Sequence, residues 1–338
     1  MTASAFICGA SGPVLTADEI AFCRDARPWG FILFKRNCET PDQIRALTAA
    51  MREAVGRDAP ILIDQEGGRV QRLAPPQWPA YPTGRTYGDV FARSADDGRR
   101  AAWLGARLMA ADLMALGIDV DCLPVLDVPV EGAHDVIGHR AYGVTPGVVS
   151  ELGRAAAAGL LAGGVLPVIK HIPGHGRAGV DSHHHLPVVD TDRATLETTD
   201  FPPFRDAATL PLAMTAHVVY TALDAANPAT TSKTVIDEVI RGFIGYDGCL
   251  MSDDVSMQAL SGTIGERTAA ALAAGCDLAL HCNGDLAEMR AVAANCRPLA
   301  GAALARAERA LAARRAPEPL DEAAARAEFA RLTGAPSV

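Results

Sequence analysis

The stretch VLPVIK, residues 165–170, is apolar on both faces of an extended backbone and then stops at a lysine. A strand that hides both faces belongs in a parallel sheet covered by helices, because a sheet with one face in water alternates apolar and polar residues. Similar runs recur along the chain: AFIC near 5, GFILF near 30, PILID near 60, IDVDCLP near 118, LAMTAH near 212, GCLMSD near 248 and CDLALHC near 276, eight in all with VLPVIK. Helix-like segments separate most of them. TPDQIRALTAAMREAVG offers Thr40 as an N-cap before Pro41, and SADDGRRAAWLGARLMAADLMALG is expected to end at Gly117. Eight such units in 338 residues predict a single α/β domain over 1–338, a (β/α)8 TIM-like barrel, whose usual size is roughly 250 residues or more. An open doubly wound sheet fits less well, since no G-x-G-x-x-G follows the first strand and no Walker loop occurs. From about residue 285 to 338 the chain turns Ala/Arg/Glu-rich, with turns at Pro298 and around Pro317 and Pro319. This part is predicted to form extra C-terminal helices packed on the outside, their charges on a solvated face.

Composition narrows the function classes. The chain is 49% apolar and 21% charged, an ordinary globular balance. A net charge of −9 without any Lys/Arg run argues against a nucleic-acid partner. The N-terminal MTASAFICGASGP lacks the features of a secretory signal, and the longest nearly apolar run, Ala155 to Ile169, is too short to span a bilayer and is broken by Gly163, Gly164 and Pro167. A cytoplasmic protein without a membrane partner is expected. Eight scattered cysteines without a C-x-x-C pair are expected to be reduced thiols.

Several of the strand-like runs close on a polar residue: Asp64, Asp127, Lys170 with His171, His217, and Asp253. A parallel barrel gathers its strand C-termini on one face, where its active site lies. Any one of these residues alone would be taken for a loop hydrogen bond or a helix cap. As a set, they are expected to share one pocket.

After VLPVIK comes KHIPGHGRAGVDSHHHLP, residues 170–187, with five of the nine histidines. His171 and His175 have the i, i+4 spacing of H-E-x-x-H, but Pro173, Gly174 and Gly176 oppose a helix, so that spacing loses its meaning for a metal. Asp181 is two residues before His183, close enough for its carboxylate to orient the imidazole and raise its pKa, as suits a proton donor. His184 and His185 are read as solvent-exposed. In MSDDVSM, residues 251–257, Asp253 at a strand end has the choice of nucleophile, base or cap, with Asp254 supporting the loop. A carboxylate and a proton donor on opposite sides of a sugar are what glycosidic cleavage needs.

Taken in order, GFILFKRNCETPDQ, IDQEGGRVQRL, IGHRAYG, KHIPGHGRAGVDSHHHLP and MSDDVSM resemble the bacterial β-N-acetylhexosaminidases of glycoside hydrolase family 3. The resemblance implies a single barrel, a retaining exo-β-N-acetylglucosaminidase acting on muropeptides, and a role in peptidoglycan recycling, with no cofactor and no metal. It implies Asp253 as nucleophile, His183 as acid/base, and Asp181 as the partner that tunes it. Asp64, Arg72, Arg140, Lys170 and His171 fall on sugar-binding positions. Where the family reads G-D-R this chain has His139 before Arg140, and Ile172 replaces a usual Phe, a packing change. On a glycine-rich loop, a histidine acid/base is expected to reach the sugar only when substrate is bound. Two other readings stand beside this one: a metal-dependent barrel hydrolase using the His171–His185 cluster, and a GlcNAc-binding protein without catalysis.

Overall fold

The computed structural model describes residues 2–182 and 185–334. Its eight parallel strands are β1 (Ser4–Cys8), β2 (Pro28–Leu33), β3 (Ile61–Ile63), β4 (Val120–Asp121), β5 (Leu166–Ile172), β6 (Leu212–Thr215), β7 (Cys249–Asp254) and β8 (Leu278–His281). They follow one another in chain order around a closed barrel, β1 pairing with both β2 and β8. Each overlaps one of the eight apolar runs.

The helices follow their local signals. Thr40 caps Pro41–Val55 by accepting the Gln43 amide at 3.3 Å, and Gly56 ends it in the left-handed region. Ser94 caps Ala95–Met114 in the same way. That helix stops three residues short of the expected Gly117, because the chain must turn towards β4 there; Gly117 makes the turn at φ 75°.

Inside the barrel, Ile7, Ile32, Leu62, Val168, Met214 and Leu280 form a layer that also contains Leu299, Ala307 and Ala310. Ala307 and Ala310 belong to helix Gly301–Ala312, and Pro298 just before it bridges Ser4 at the start of β1. This helix therefore covers the N-terminal mouth of the barrel, which is more than a position on the outside. The expectation that the terminal charges form a solvated face is corrected in part. Arg306 grips the buried Asp277 at 2.7 Å, and Arg326 reaches Asp112 at 2.9 Å. These arginines tie the terminal helices to Asp277, just before β8, and to Asp112 on helix Ala95–Met114. Helix Glu322–Thr333 packs Phe329 against Tyr81 and Tyr87, with both ring-centroid distances 6.2 Å.

Among the described residues no helix is long and apolar enough to cross a membrane. All eight cysteines are free thiols, six of them buried.

Two irregularities matter for the site. The β5–β6 register shifts between Lys170 and Ile172, and the β7–β8 register shifts between Met251 and Asp254. Both breaks lie at strand C-terminal ends, where a bulge re-aims side chains.

Candidate active site

The C-terminal mouth of the barrel holds a cavity of about 210 Å³. That is small beside the ~300–1,000 Å³ of ordinary small-molecule sites. Its lining includes Asp64, Arg72, Arg140, Lys170, His171 and Asp253, so six of the eight residues singled out from the sequence meet here. Asp181 carries the backbone carbonyl that accepts the His185 amide at 3.0 Å, and its neighbour Ser182 lines the cavity. His183, with His184, lies outside the described residues. His185 is exposed.

One wall is built after β3. Gln65–Gly67 and Val70–Gln71 form a small antiparallel hairpin. Gly67 turns it at φ 94°, where a Cβ would lie 2.2 Å from the Pro82 carbonyl oxygen. Gln65 staples it, its Oε1 accepting the amides of Arg72 at 3.0 Å and Leu73 at 3.1 Å. The chain thus returns Arg72 to Asp64, Nη2 donating to Oδ2 at 2.9 Å, and the Arg72 guanidinium lies 4.8 Å from the centre of the Phe34 ring. Lys170 donates to Asp64 Oδ1 at 2.7 Å and pairs with Glu66 Oε1 at 2.6 Å. Arg140 grips Glu66 in a fork, Nε to Oε2 and Nη2 to Oε1, both at 2.8 Å.

Charge in this wall is balanced by contact. Burial alone would raise the Asp64 carboxyl, but Lys170 and then Arg72 hold it well below the usual carboxylate range. Glu66, also pushed up by burial, is brought down to about 2 by Arg140 and Lys170. Burial disfavours the ammonium of Lys170, and Asp64 and Glu66 more than restore it, so the group stays cationic. Two carboxylates thus sit among three cations. The Arg72 Nε is buried and lacks a hydrogen-bond partner among the described residues.

A second wall hangs on Asp127. Its Oδ2 accepts His171 Nδ1 at 2.7 Å, and its Oδ1 accepts the amides of His171 at 3.1 Å and His175 at 2.7 Å. Burial raises this carboxyl, but His171 leads the groups that bring it to about 2. With Nδ1 committed, His171 keeps Nε2 for the cavity. His175 is lowered to about 4 by burial and by the nearby His171, and its Nε2 lies 3.1 Å from Ser182 Oγ. This contact holds Ser182 at the cavity rim.

The third wall is the end of β7. Asp254 is committed to the loop: it accepts Ser256 N at 3.0 Å, Ser256 Oγ at 2.6 Å and Cys282 N at 3.1 Å. Asp253 lines the cavity, its Oδ1 accepting the Asp254 amide at 2.8 Å.

The shared-pocket expectation needs one correction. Asp127 and His217 do not line the cavity; both are fully buried behind it. Their strands turn so that Asp127 supports two backbone amides and His217 faces Thr230 at 2.7 Å and the Asp254 carbonyl at 3.0 Å. Glu66 carries Arg140 and Lys170 yet received no role from the sequence, although IDQEGGRVQRL contains it; a carboxylate beside a barrel strand end was the available signal. His139 is exposed and takes no part in holding Arg140, whose support is Glu66. Among the described residues no group of three or more His, Cys, Asp or Glu is placed to hold a metal ion.

A family model described as the glycosyl hydrolase family 3 N-terminal domain matches residues 23–312. This chain belongs to glycoside hydrolase family 3. It is a glycosidase, and its relatives carry matching names. A β-hexosaminidase of Bordetella avium is 40% identical over 283 residues, 82% of this chain and 80% of that protein. NagZ of Neisseria gonorrhoeae, solved with N-trifluoroacetyl-D-glucosamine, superposes with a TM-score of 0.87 at 30% identity, covering 99% of this chain and 98% of that one. The same Neisseria protein solved with a zinc ion gives a TM-score of 0.85 at 30% identity, covering 99% and 97%. Within family 3, the barrel and its C-terminal cavity are therefore the expected setting for sugar chemistry.

Proposed function

We propose that this family 3 glycosidase is a cytoplasmic, retaining exo-β-N-acetylglucosaminidase that removes terminal β-linked GlcNAc from muropeptides, GlcNAc-1,6-anhydroMurNAc with or without its peptide, in peptidoglycan recycling. The observation that carries the reading is that Asp253 shares a small cavity with the hydrogen-bond donors Arg72, Arg140, Lys170 and His171. Asp64 spends one lone pair of each oxygen on Lys170 and Arg72 and keeps the others for two sugar hydroxyls.

In this mechanism the Asp253 carboxylate attacks the anomeric carbon as the aglycone oxygen departs with a proton from His183. The covalent glycosyl-enzyme is then opened by water, from which His183 takes the proton back. Asp181 orients His183 and stabilises its charged form. The small cavity suits one terminal sugar, which supports exo action.

The test is release of GlcNAc from a chromogenic β-glycoside beside its glucose analogue, with proton NMR reading the configuration of the first product. Turnover of the GlcNAc substrate with retention, loss of at least about 10³-fold in Asp253→Ala, and indifference to chelator are expected. An active Asp253→Ala variant would remove the nucleophile assignment. Loss of activity with chelator and rescue by zinc would instead favour a metal-dependent hydrolase, a reading that the zinc-bound Neisseria structure brings to mind. Binding of GlcNAc without turnover would leave a sugar-binding protein.

A further inference from the structure

The structure assigns Thr215, Thr230 and His217 a joint role as positioning residues for Asp253, acting through a hydrogen-bond circuit that runs from the Asp253 amide to the Asp254 carbonyl. The inference rests on the proposal that Asp253 is the nucleophile. All three side chains are fully buried, and none of them lines the cavity.

Four links make the circuit. The Asp253 amide donates to Thr215 Oγ at 3.3 Å. Thr215 Oγ lies 2.7 Å from Thr230 Oγ, Thr230 Oγ lies 2.7 Å from His217 Nδ1, and His217 Nε2 lies 3.0 Å from the Asp254 carbonyl oxygen. The direction of every link follows from its ends. A carbonyl only accepts, so Nε2 carries a hydrogen. In that tautomer Nδ1 has a lone pair, which takes the Thr230 hydroxyl hydrogen. Thr230 in turn accepts from Thr215, and Thr215 accepts from the Asp253 amide. Each hydroxyl donates once and accepts once.

Two neighbours compete: the Ala216 carbonyl, 3.1 Å from Thr230 Oγ, and the Cys276 thiol, which hydrogen-bonds Thr215 and donates to the Thr230 carbonyl oxygen at 3.6 Å. Turning the Thr230 hydrogen towards the Ala216 carbonyl would leave the Nδ1 lone pair of His217 without its donor. The His217 contact is the shorter one, 2.7 Å against 3.1 Å.

The location explains the need. The β6–β7 pairing covers Cys249, Leu250 and Met251 only, and the register with β8 breaks between Met251 and Asp254. At residue 253 the backbone has left the regular ladder on the β6 side, and the Thr215 hydroxyl takes the amide instead. Thr230 comes from the turn Ala229–Thr231, whose Ala229 amide is fixed to the Val218 carbonyl at 2.8 Å. The circuit thus clamps the two backbone groups on either side of the Asp253 carboxylate. A nucleophile displaced by about 1 Å costs on the order of 10²-fold in rate.

The experiment compares Thr215→Val, Thr230→Val, their double variant and Thr230→Ser in the full chain, reading kcat, KM and inhibition by free GlcNAc, with melting curves to confirm folding. Each Val variant is expected to lose about 10- to 100-fold in kcat while KM and GlcNAc inhibition stay within about threefold. The double variant is expected to lose little more than the worse single one, because the circuit is already open. Thr230→Ser, which keeps the hydroxyl, is expected to stay within about threefold of wild type. Independent, multiplying losses in the double variant, a KM rise that accounts for the effect, an unchanged kcat in folded Val variants, or an equal loss in Thr230→Ser would each overturn the inference. Asp253→Ala run alongside separates the two levels: if it is active, the nucleophile reading has failed, whatever the threonine variants do.

Discussion

Asp127 holds His171 by ring and backbone together, with Oδ2 on Nδ1 at 2.7 Å and Oδ1 on the amide at 3.1 Å. Oδ1 also takes the His175 amide. Removing the carboxylate in Asp127→Ala leaves three buried donors unpaired, at roughly 1–3 kcal/mol each. A loss of at least about 3 kcal/mol in urea unfolding is expected, with a fall in kcat/KM. Asp127→Asn should keep the amide contacts but present an N–H to Nδ1, so it is expected to fold nearly normally and still lose activity. Full activity in the Asn variant would show that the His171 tautomer is not set here.

Glu66 is the common anchor of Arg140 and Lys170. In Glu66→Gln one half of the fork meets an N–H instead of an oxygen, and the charge that balanced two cations is gone. Loss of one charge-assisted bond, about 1.5–3 kcal/mol, predicts KM and the GlcNAc inhibition constant rising together by about tenfold or more. Kinetics with unchanged KM would place Arg140 outside sugar binding.

Acidification is expected to weaken the fold from an unusually high pH. His175 sits near 4 when folded against an ordinary value of 6.5, so below 6.5 the unfolded chain takes up a proton that the folded one refuses. Stability falls as pH drops from 6.5 towards 4, by about 3 kcal/mol in all. Glu66 and Asp127, both near 2 when folded against 4.5 and 3.8, add stabilisation that is complete above those values and lost as pH falls through about 2. Urea midpoints at pH 7 and 4.5 should differ markedly in wild type and much less in His175→Gln. Equal differences would mean that His175 charges in the folded state.

The neighbours Asp253 and Asp254 should separate cleanly. Asp254→Ala strips three loop hydrogen bonds and is expected to lower stability by about 2–3 kcal/mol, with activity reduced through a loosened loop. Asp253→Asn is expected to fold as well as wild type and to turn over no substrate. Melting temperature set beside initial rate for the two variants decides the assignment.

His139→Asp, which restores the family's usual residue beside Arg140, is expected to change kcat/KM by less than about threefold. Residue 139 is exposed, and Arg140 is held from the other side by Glu66.

The barrel was legible because its strands are apolar on both faces and because helix starts such as Thr40 and Ser94 carried their own capping chemistry. The cavity residues Asp64, Lys170, His171 and Asp253 were legible as polar groups ending apolar strands. What the sequence did not separate was the lining from the support. Asp127 and His217 end strands just as Asp64 does, and only the local path of the backbone decides which carboxylate or imidazole faces the cavity. Glu66 was hidden for a related reason: its importance lies in partners 74 and 104 residues away, Arg140 and Lys170, and no short-range pattern marks that pairing. The terminal arginines were misread because solvated and anchoring charges look alike on a helix until the packing of Asp277 and Asp112 is known.

The two register shifts give this site a property of its own. A regular strand sends alternate side chains to opposite faces, so it offers a cavity every second residue at most. Lys170 with His171, and Asp253 with Asp254, break that economy: each strand end delivers two adjacent residues to the same opening. The site is therefore indexed by length as well as by residue identity. Inserting one residue upstream of either break would move Ser252 or Ile169 into a functional position while preserving every apolar run that makes the barrel. Substitutions in these strands can drift, but their residue count cannot.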